Sequence, residues 1–310
     1  VKSAGAATAL GAPPNYIRVN FVIDNSSSMG IGSTNDDQIK MFNATGCAVA
    51  CHYRDLWYNS DTLDRARASG AIMRIDLAKN AVVRILEALK KKTTVTDQFE
   101  IGVYTVSNSI TVIEPGTTDL DRAIGAVKSL DLSNADAQGG TNVYYGMKQL
   151  GALANAGGTG SVPGERYTHT VLLSDGVDDS GMMTKERTNP DEYNYTSDPN
   201  FKTFDPYNRD ANNVVVQPVD AAGCQGLKDK NHNVITLELE YLIPTVGVYD
   251  SVHVQRMSFI KTNMSAIKSG MQACATKSEH SFSANLPVEI DAAADLIEAT
   301  VSRANVRLGF

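Results

Sequence analysis

The sequence predicts an α/β fold, a doubly wound and mostly parallel sheet with helices on both faces. Three observations carry this. Strand-like and helix-like segments alternate along the 310 residues, the pattern of strand–helix–strand units. The first strand-like run, Tyr16 to Asp24, stops on an acid followed by alternating hydroxyls, Asp24-Asn25-Ser26-Ser27-Ser28. A later apolar run, Thr168 to Leu173, stops on Ser174-Asp175-Gly176. Ligands of open α/β sheets bind beyond the carboxyl ends of the strands, so both runs deliver oxygen atoms to the functional rim.

The elements follow in order. Residues 1–15 are Ala/Gly/Pro-rich and read as a lead-in to a domain spanning 16–310. After the first strand, residues 30–62 form a first insertion, irregular apart from a short helix around Asp37–Cys51. One strong helix is expected from Asp64 to Lys91, with Ile75, Ala78, Val82, Ile85, Leu86 and Leu89 at helical spacing. Lys90-Lys91-Lys92 complements its dipole. Phe99–Val106 and Ser109–Ile113 read as a hairpin, which gives the sheet one antiparallel edge strand. Asp119–Leu130 is an amphipathic helix, and Gly139-Gly140-Thr141-Asn142 opens another that ends near Leu153.

Residues 178–218 form a second insertion, rich in Asp, Asn, Tyr, Pro and Thr, too long for a plain connection. A helix over Ala221–Lys230 follows. Val234–Tyr241 alternates with the period of a strand, Pro244 interrupts, and Thr245–Tyr249 completes or restarts it. A helix over Ser265–Thr276, a strand over His280–Ala284 and a helix over Val288–Arg303 finish the chain.

Composition narrows the function. The net charge is -7 and no basic run stands ready to neutralise phosphates, which argues against nucleic acid. No apolar stretch is long enough to span a bilayer. The chain begins at Val1 rather than Met, which points to a removed signal peptide or anchor. Four cysteines, Cys47, Cys51, Cys224 and Cys274, suit an oxidising compartment. Three pairings are open, of which Cys47–Cys51 with Cys224–Cys274 is the simplest; four buried thiols are the alternative. Cys47 to His52 carries one residue too many for haem attachment.

The chemistry of the rim is that of a hard cation. Asp24, Ser26, Ser28, Thr141 and Asp175 supply two carboxylates and three hydroxyls, and the glycines before Thr141 let the backbone approach closely. Magnesium suits such a set best, with calcium or manganese possible, because it retains waters that a partner's carboxylate can displace.

With these segments the chain resembles the von Willebrand factor type A family. Asp24-x-Ser26-x-Ser28, Thr141 and Asp175 match, in order, the three parts of that family's metal-ion-dependent adhesion site. Phe99–Val103 looks like its second strand and Thr245-Val246-Gly247-Val248 like its fifth. Within the family, Gly46 to His52, Gly223-Cys224 with Leu227-Lys228, Ala273-Cys274-Ala275 and Val306-Arg307-Leu308 resemble TadG-like proteins of bacterial tight-adherence pilus systems. There a type A domain follows an N-terminal membrane anchor, so the resemblance implies an anchor ahead of Val1 that is cleaved or left out of these 310 residues. The resemblance implies a non-enzymatic adhesion or assembly module, periplasmic or at the cell surface. Its partners would be pilin, other pilus-assembly subunits, or a surface or host ligand. It also places Cys224 and Cys274 on neighbouring elements, where a bridge is plausible.

Both insertions follow strands that carry metal ligands, so they wall the ion. Their aromatics Tyr53, Trp57, Tyr58, Tyr193, Tyr195 and Tyr207 read either as contact anchors for a partner or as packing of the insertions themselves. An ion that only stabilises a structural pilus subunit is a further reading. So is a magnesium-dependent phosphatase, which lacks an evident nucleophile or cationic clamp.

Overall fold

The computed structural model describes residues 16–48, 62–133, 141–179, 216–246 and 251–302. At its centre is a six-stranded sheet of order β3-β2-β1-β4-β7-β8. The strands are β1 (Ile17–Asp24), β2 (Phe99–Val106), β3 (Ile110–Thr117), β4 (Tyr167–Ser174), β7 (Asn233–Leu239) and β8 (Ser281–Ala284). All pair in parallel except β3, which runs antiparallel to β2 at one edge. A two-stranded antiparallel ribbon, β5 (Val177–Asp179) and β6 (Val216–Pro218), stands apart from the sheet.

The two-residue period of β1 divides the core. Ile17, Val19, Phe21 and Ile23 face a layer that contains α3 (Arg74–Lys92), α4 (Leu120–Lys128) and α8 (Pro287–Ser302). Val22 faces the opposite layer, with α5 (Val143–Leu153), α6 (Gln225–Asp229) and α7 (Ser251–Cys274). In α3, Ile75, Ala78, Val82, Ile85, Leu86 and Leu89 are all buried on the first face. Burying each large aliphatic side chain of this row contributes roughly 1.5–3 kcal/mol. Helix starts follow local chemistry. The Asp119 carboxylate accepts the amides of Asp121 and Arg122 ahead of α4, and Asn142 caps α5.

Several expectations need correction. The single helix expected from Asp64 to Lys91 is two, α2 (Thr62–Ala68) and α3. Gly70 sits at φ 76°, a left-handed conformation that ends α2, and Met73 pairs with Gly32 as an isolated bridge before α3 begins. The helix expected around Asp37–Cys51 is α1 (Asn35–Thr45), ended by Gly46 at φ 77°. The short helix expected in the first insertion is therefore present, beginning two residues earlier and ending six residues earlier than expected.

Thr245 and Val246 lie outside any strand, and 247–250 fall outside the described residues. β7, which ends six positions before Thr245, takes the fifth-strand place, because the fully buried run Asn233–Leu239 pairs with both β4 and β8. Ends of the second insertion form β5 and β6; residues 180–215 lie outside the described set.

The Cys224–Cys274 bridge is formed, with Cα atoms 5.4 Å apart, and joins the turn before α6 to the end of α7. Cys47 is also disulfide-bonded, but its expected partner Cys51 lies outside the described residues. No helix among the described residues is long and apolar enough to cross a membrane.

Candidate metal centre

β1 and β4 lie side by side, so their carboxyl ends bring Asp24 and the Ser174-Asp175 pair to one point of the rim. Each carboxylate is fixed by its own chain. Asp24 Oδ1 accepts the Ser26 amide at 2.9 Å, and Oδ2 accepts the Ser174 hydroxyl at 2.7 Å. Asp175 Oδ1 accepts the Val177 amide at 3.2 Å. A 3-10 turn over Ser27–Gly30 curls the chain after Asp24, leaving the Ser26 and Ser28 hydroxyls 3.1 Å apart. Ser28 also hydrogen-bonds to Asp175. Asp24, Ser26, Ser28 and Asp175 thus form one cluster.

Thr141 reaches the same rim by a different route. It is 2% exposed and stands just before α5. Its neighbour Asn142 donates its amide to the Ser107 carbonyl at the end of β2, and the Val143 amide donates to Asp178 Oδ1 at 2.7 Å. Among the described residues, no hydrogen bond links Thr141 to the other four. Gly139 and Gly140 lie outside the described residues, as do Tyr53, Trp57, Tyr58, Tyr193, Tyr195 and Tyr207.

Electrostatics mark the place as short of positive charge. Asp24 and Asp175 are each 0% exposed. Burial raises the affinity of the Asp24 carboxyl for a proton, and the neighbouring Asp175 raises it further. Burial likewise raises Asp175, opposed by Arg74 and by hydrogen bonds from Ser28, the Val177 amide and Tyr241. Two buried carboxylates flanked by neutral hydroxyls favour a hard divalent cation, so the residues present fit the group. The donor set is lean: among the described residues, nowhere do three His, Cys, Asp or Glu gather as a metal cage.

Four contributors escape a reading by motif. Ser174 anchors Asp24. Asp178, buried, holds the start of α5 and with it the segment after Thr141. Arg74, 3% exposed, places Nη1 3.5 Å from Asp175 Oδ2. Tyr241 lies under that guanidinium, whose central carbon is 4.0 Å from the ring centroid. A signal for Arg74 exists in the sequence: it sits four residues before Ala78, on the apolar face of its helix.

No family model matches the chain, and no curated protein does either. Solved structures do. The vWF domain of the type V pili tip protein Mfa5 from Porphyromonas gingivalis superposes with a TM-score of 0.52 at 16% identity, covering 96% of this chain and 99% of that one. The fold is that of a von Willebrand type A domain. Proximal thread matrix protein 1 from the mussel byssus gives a TM-score of 0.48 at 12% identity, covering 92% of this chain and 48% of that one. The pilus adhesin SpaC from Lactobacillus rhamnosus GG gives 0.47 at 12%, covering 93% and 30%. The chain therefore spans about half the length of the mussel protein and a third of the adhesin.

Proposed function

We propose that the protein is a surface adhesion or pilus-assembly module that grips a partner's carboxylate through a divalent cation. One observation carries the reading: Asp24 and Asp175, from adjacent parallel strands, meet fully buried beside the Ser26 and Ser28 hydroxyls. The likeness to a pilus tip domain over nearly the whole of both chains supports the setting. Within it, the Cys224–Cys274 bridge and the other cysteine segments favour a TadG-like component outside the cytoplasm.

Asp24, Asp175, Ser26, Ser28 and Thr141 would hold the ion, with magnesium the best match. The ion supplies an electrophilic position for one acidic oxygen of the partner. The chain's own work is positional. Ser174 and the Ser26 amide fix Asp24, the Val177 amide fixes Asp175, and Asp178 holds the helix that follows Thr141.

The test is capture of immobilised Asp- and Glu-containing peptides in magnesium and in chelator. Capture that needs the metal and is lost in folded Asp24→Asn and Asp175→Asn variants is expected. Capture indifferent to chelator refutes the reading. Complete burial of both carboxylates favours a second reading, an ion that only stabilises the fold; in that case the same variants lose melting temperature while capture follows the folded fraction.

A further inference from the structure

We infer that Arg74 is a resident cation of the metal site and sets its net charge, so that the loaded site selects a singly charged acid. This deepens the metal-dependent reading and rests on it.

Arg74 is the first residue of α3, and its amide donates to the Ile31 carbonyl, just beyond the turn that carries Ser28. Its side chain is 3% exposed and lies between Asp175 and the Tyr241 ring. Nη1 faces Asp175 Oδ2 at 3.5 Å, while Nη2 is buried without a hydrogen-bond partner among the described residues. Among those residues, Arg74 is the only Lys or Arg paired with either site carboxylate. Two further carboxyls lie near, each answered elsewhere: Asp178, near Asp24, by the amides at the start of α5, and Glu238, near Asp175, by the Ser283 hydroxyl and Lys268.

The charge balance follows. Asp24 and Asp175 bring two negative charges and Arg74 one positive, so the side chains sum to minus one. A divalent ion makes the site plus one. A single carboxylate then closes the balance, whereas a neutral ligand leaves a buried positive charge and a phosphate dianion a negative one. Uncompensated charge in a buried setting is costly, so the balance acts as a filter. The same guanidinium repels the ion, so metal affinity is held down in exchange for attraction of the acid.

The test compares wild type with Arg74→Gln, which keeps a hydrogen-bond donor for Asp175 but removes the charge, and Arg74→Lys, which keeps the charge. Manganese binding is measured by electron paramagnetic resonance, and acetate and inorganic phosphate are titrated onto the manganese-loaded proteins. Arg74→Gln is expected to bind manganese roughly tenfold more tightly and acetate roughly tenfold more weakly, with the preference for acetate over phosphate lost. Arg74→Lys should stay within about threefold of wild type in all three. Unchanged or weaker manganese binding by folded Arg74→Gln, with wild type binding normally, overturns this inference alone. No manganese binding by wild type overturns the metal reading and this inference together. If Arg74→Gln does not fold, Arg74→Lys decides: a folded lysine variant that fails to prefer acetate over phosphate overturns the inference.

Discussion

A divalent ion should stabilise the protein, and removing Asp24's charge should abolish that effect while making the metal-free protein more stable. Both signs follow from one geometry. In metal-free protein, Asp24 and Asp175 lie fully buried side by side, each raising the cost of the other's charge, and the one neighbouring guanidinium, Arg74, reaches Asp175. An ion that binds only the folded state adds RT ln(1 + [L]/Kd), about 2.7 kcal/mol at a hundredfold excess over Kd. For 310 residues the unfolding entropy is about 0.65 kcal/mol/K, so the melting temperature rises by about 4 °C. Asp24→Asn retains one acceptor oxygen, for the Ser26 amide, and replaces the other with an NH2 that can donate to the Ser174 hydroxyl, but carries no charge. Its metal-free form should melt above metal-free wild type, and magnesium should not shift it. Differential scanning calorimetry in chelator, magnesium, calcium and manganese reads both effects. A wild-type shift below about 1 °C with every ion, or an undiminished shift in Asp24→Asn, would refute the reasoning.

Three further outcomes are expected. Burial, aided by Glu240 and Asp175, pushes the Glu238 carboxyl up to about 7 from 4.5 despite the Ser283 hydroxyl bond. The fold therefore holds a proton that the unfolded chain has released between these values, so this contribution is full below pH 4.5 and lost as pH rises to about 7. Glu238→Gln should flatten that decline and gain roughly 2 kcal/mol at pH 8, allowing for partial solvent screening; parallel urea-melt profiles against pH contradict it. Asp37 accepts hydrogen bonds from the Ser33 and Thr34 hydroxyls and the Ile72 amide, so Asp37→Ala should cost about 3 kcal/mol in chemical denaturation, and a loss under 1 would contradict it. Cys224 and Cys274 are separated by 50 positions, so replacing both by serine should cost about 4 kcal/mol by loop-closure entropy; an unchanged denaturation midpoint would count against it.

Much of the rim was legible because its residues are polar at the ends of apolar runs. Asp24 and Asp175 each end a buried strand, and such a position has no role in packing. Arg74 was only half legible. Its place on the apolar face of its helix marks it for burial, but nothing in the sequence pairs it with Asp175, 101 positions away. The break between α2 and α3 was hidden by helix-forming residues on both sides of Gly70, whose left-handed backbone overrides them. Thr245-Val246 has strong strand propensity but lost its place to Asn233–Leu239, because sheet membership depends on neighbours rather than on propensity. Thr141 enters the set by its order in the sequence alone; the bond from the Val143 amide to Asp178, two residues on, needed the third dimension.

The β5–β6 ribbon has a consequence for how such a protein diversifies. Asp178 lies opposite Gln217, so the chain leaves the rim and returns to it at adjacent points. Any sequence inserted between them begins and ends on the same short clasp. Doubling the length of such a loop costs only about 0.6 kcal/mol in closure entropy. The clasp works as a socket: segments of different length and composition can be joined there beside the Asp24 and Asp175 carboxylates at little cost to the fold.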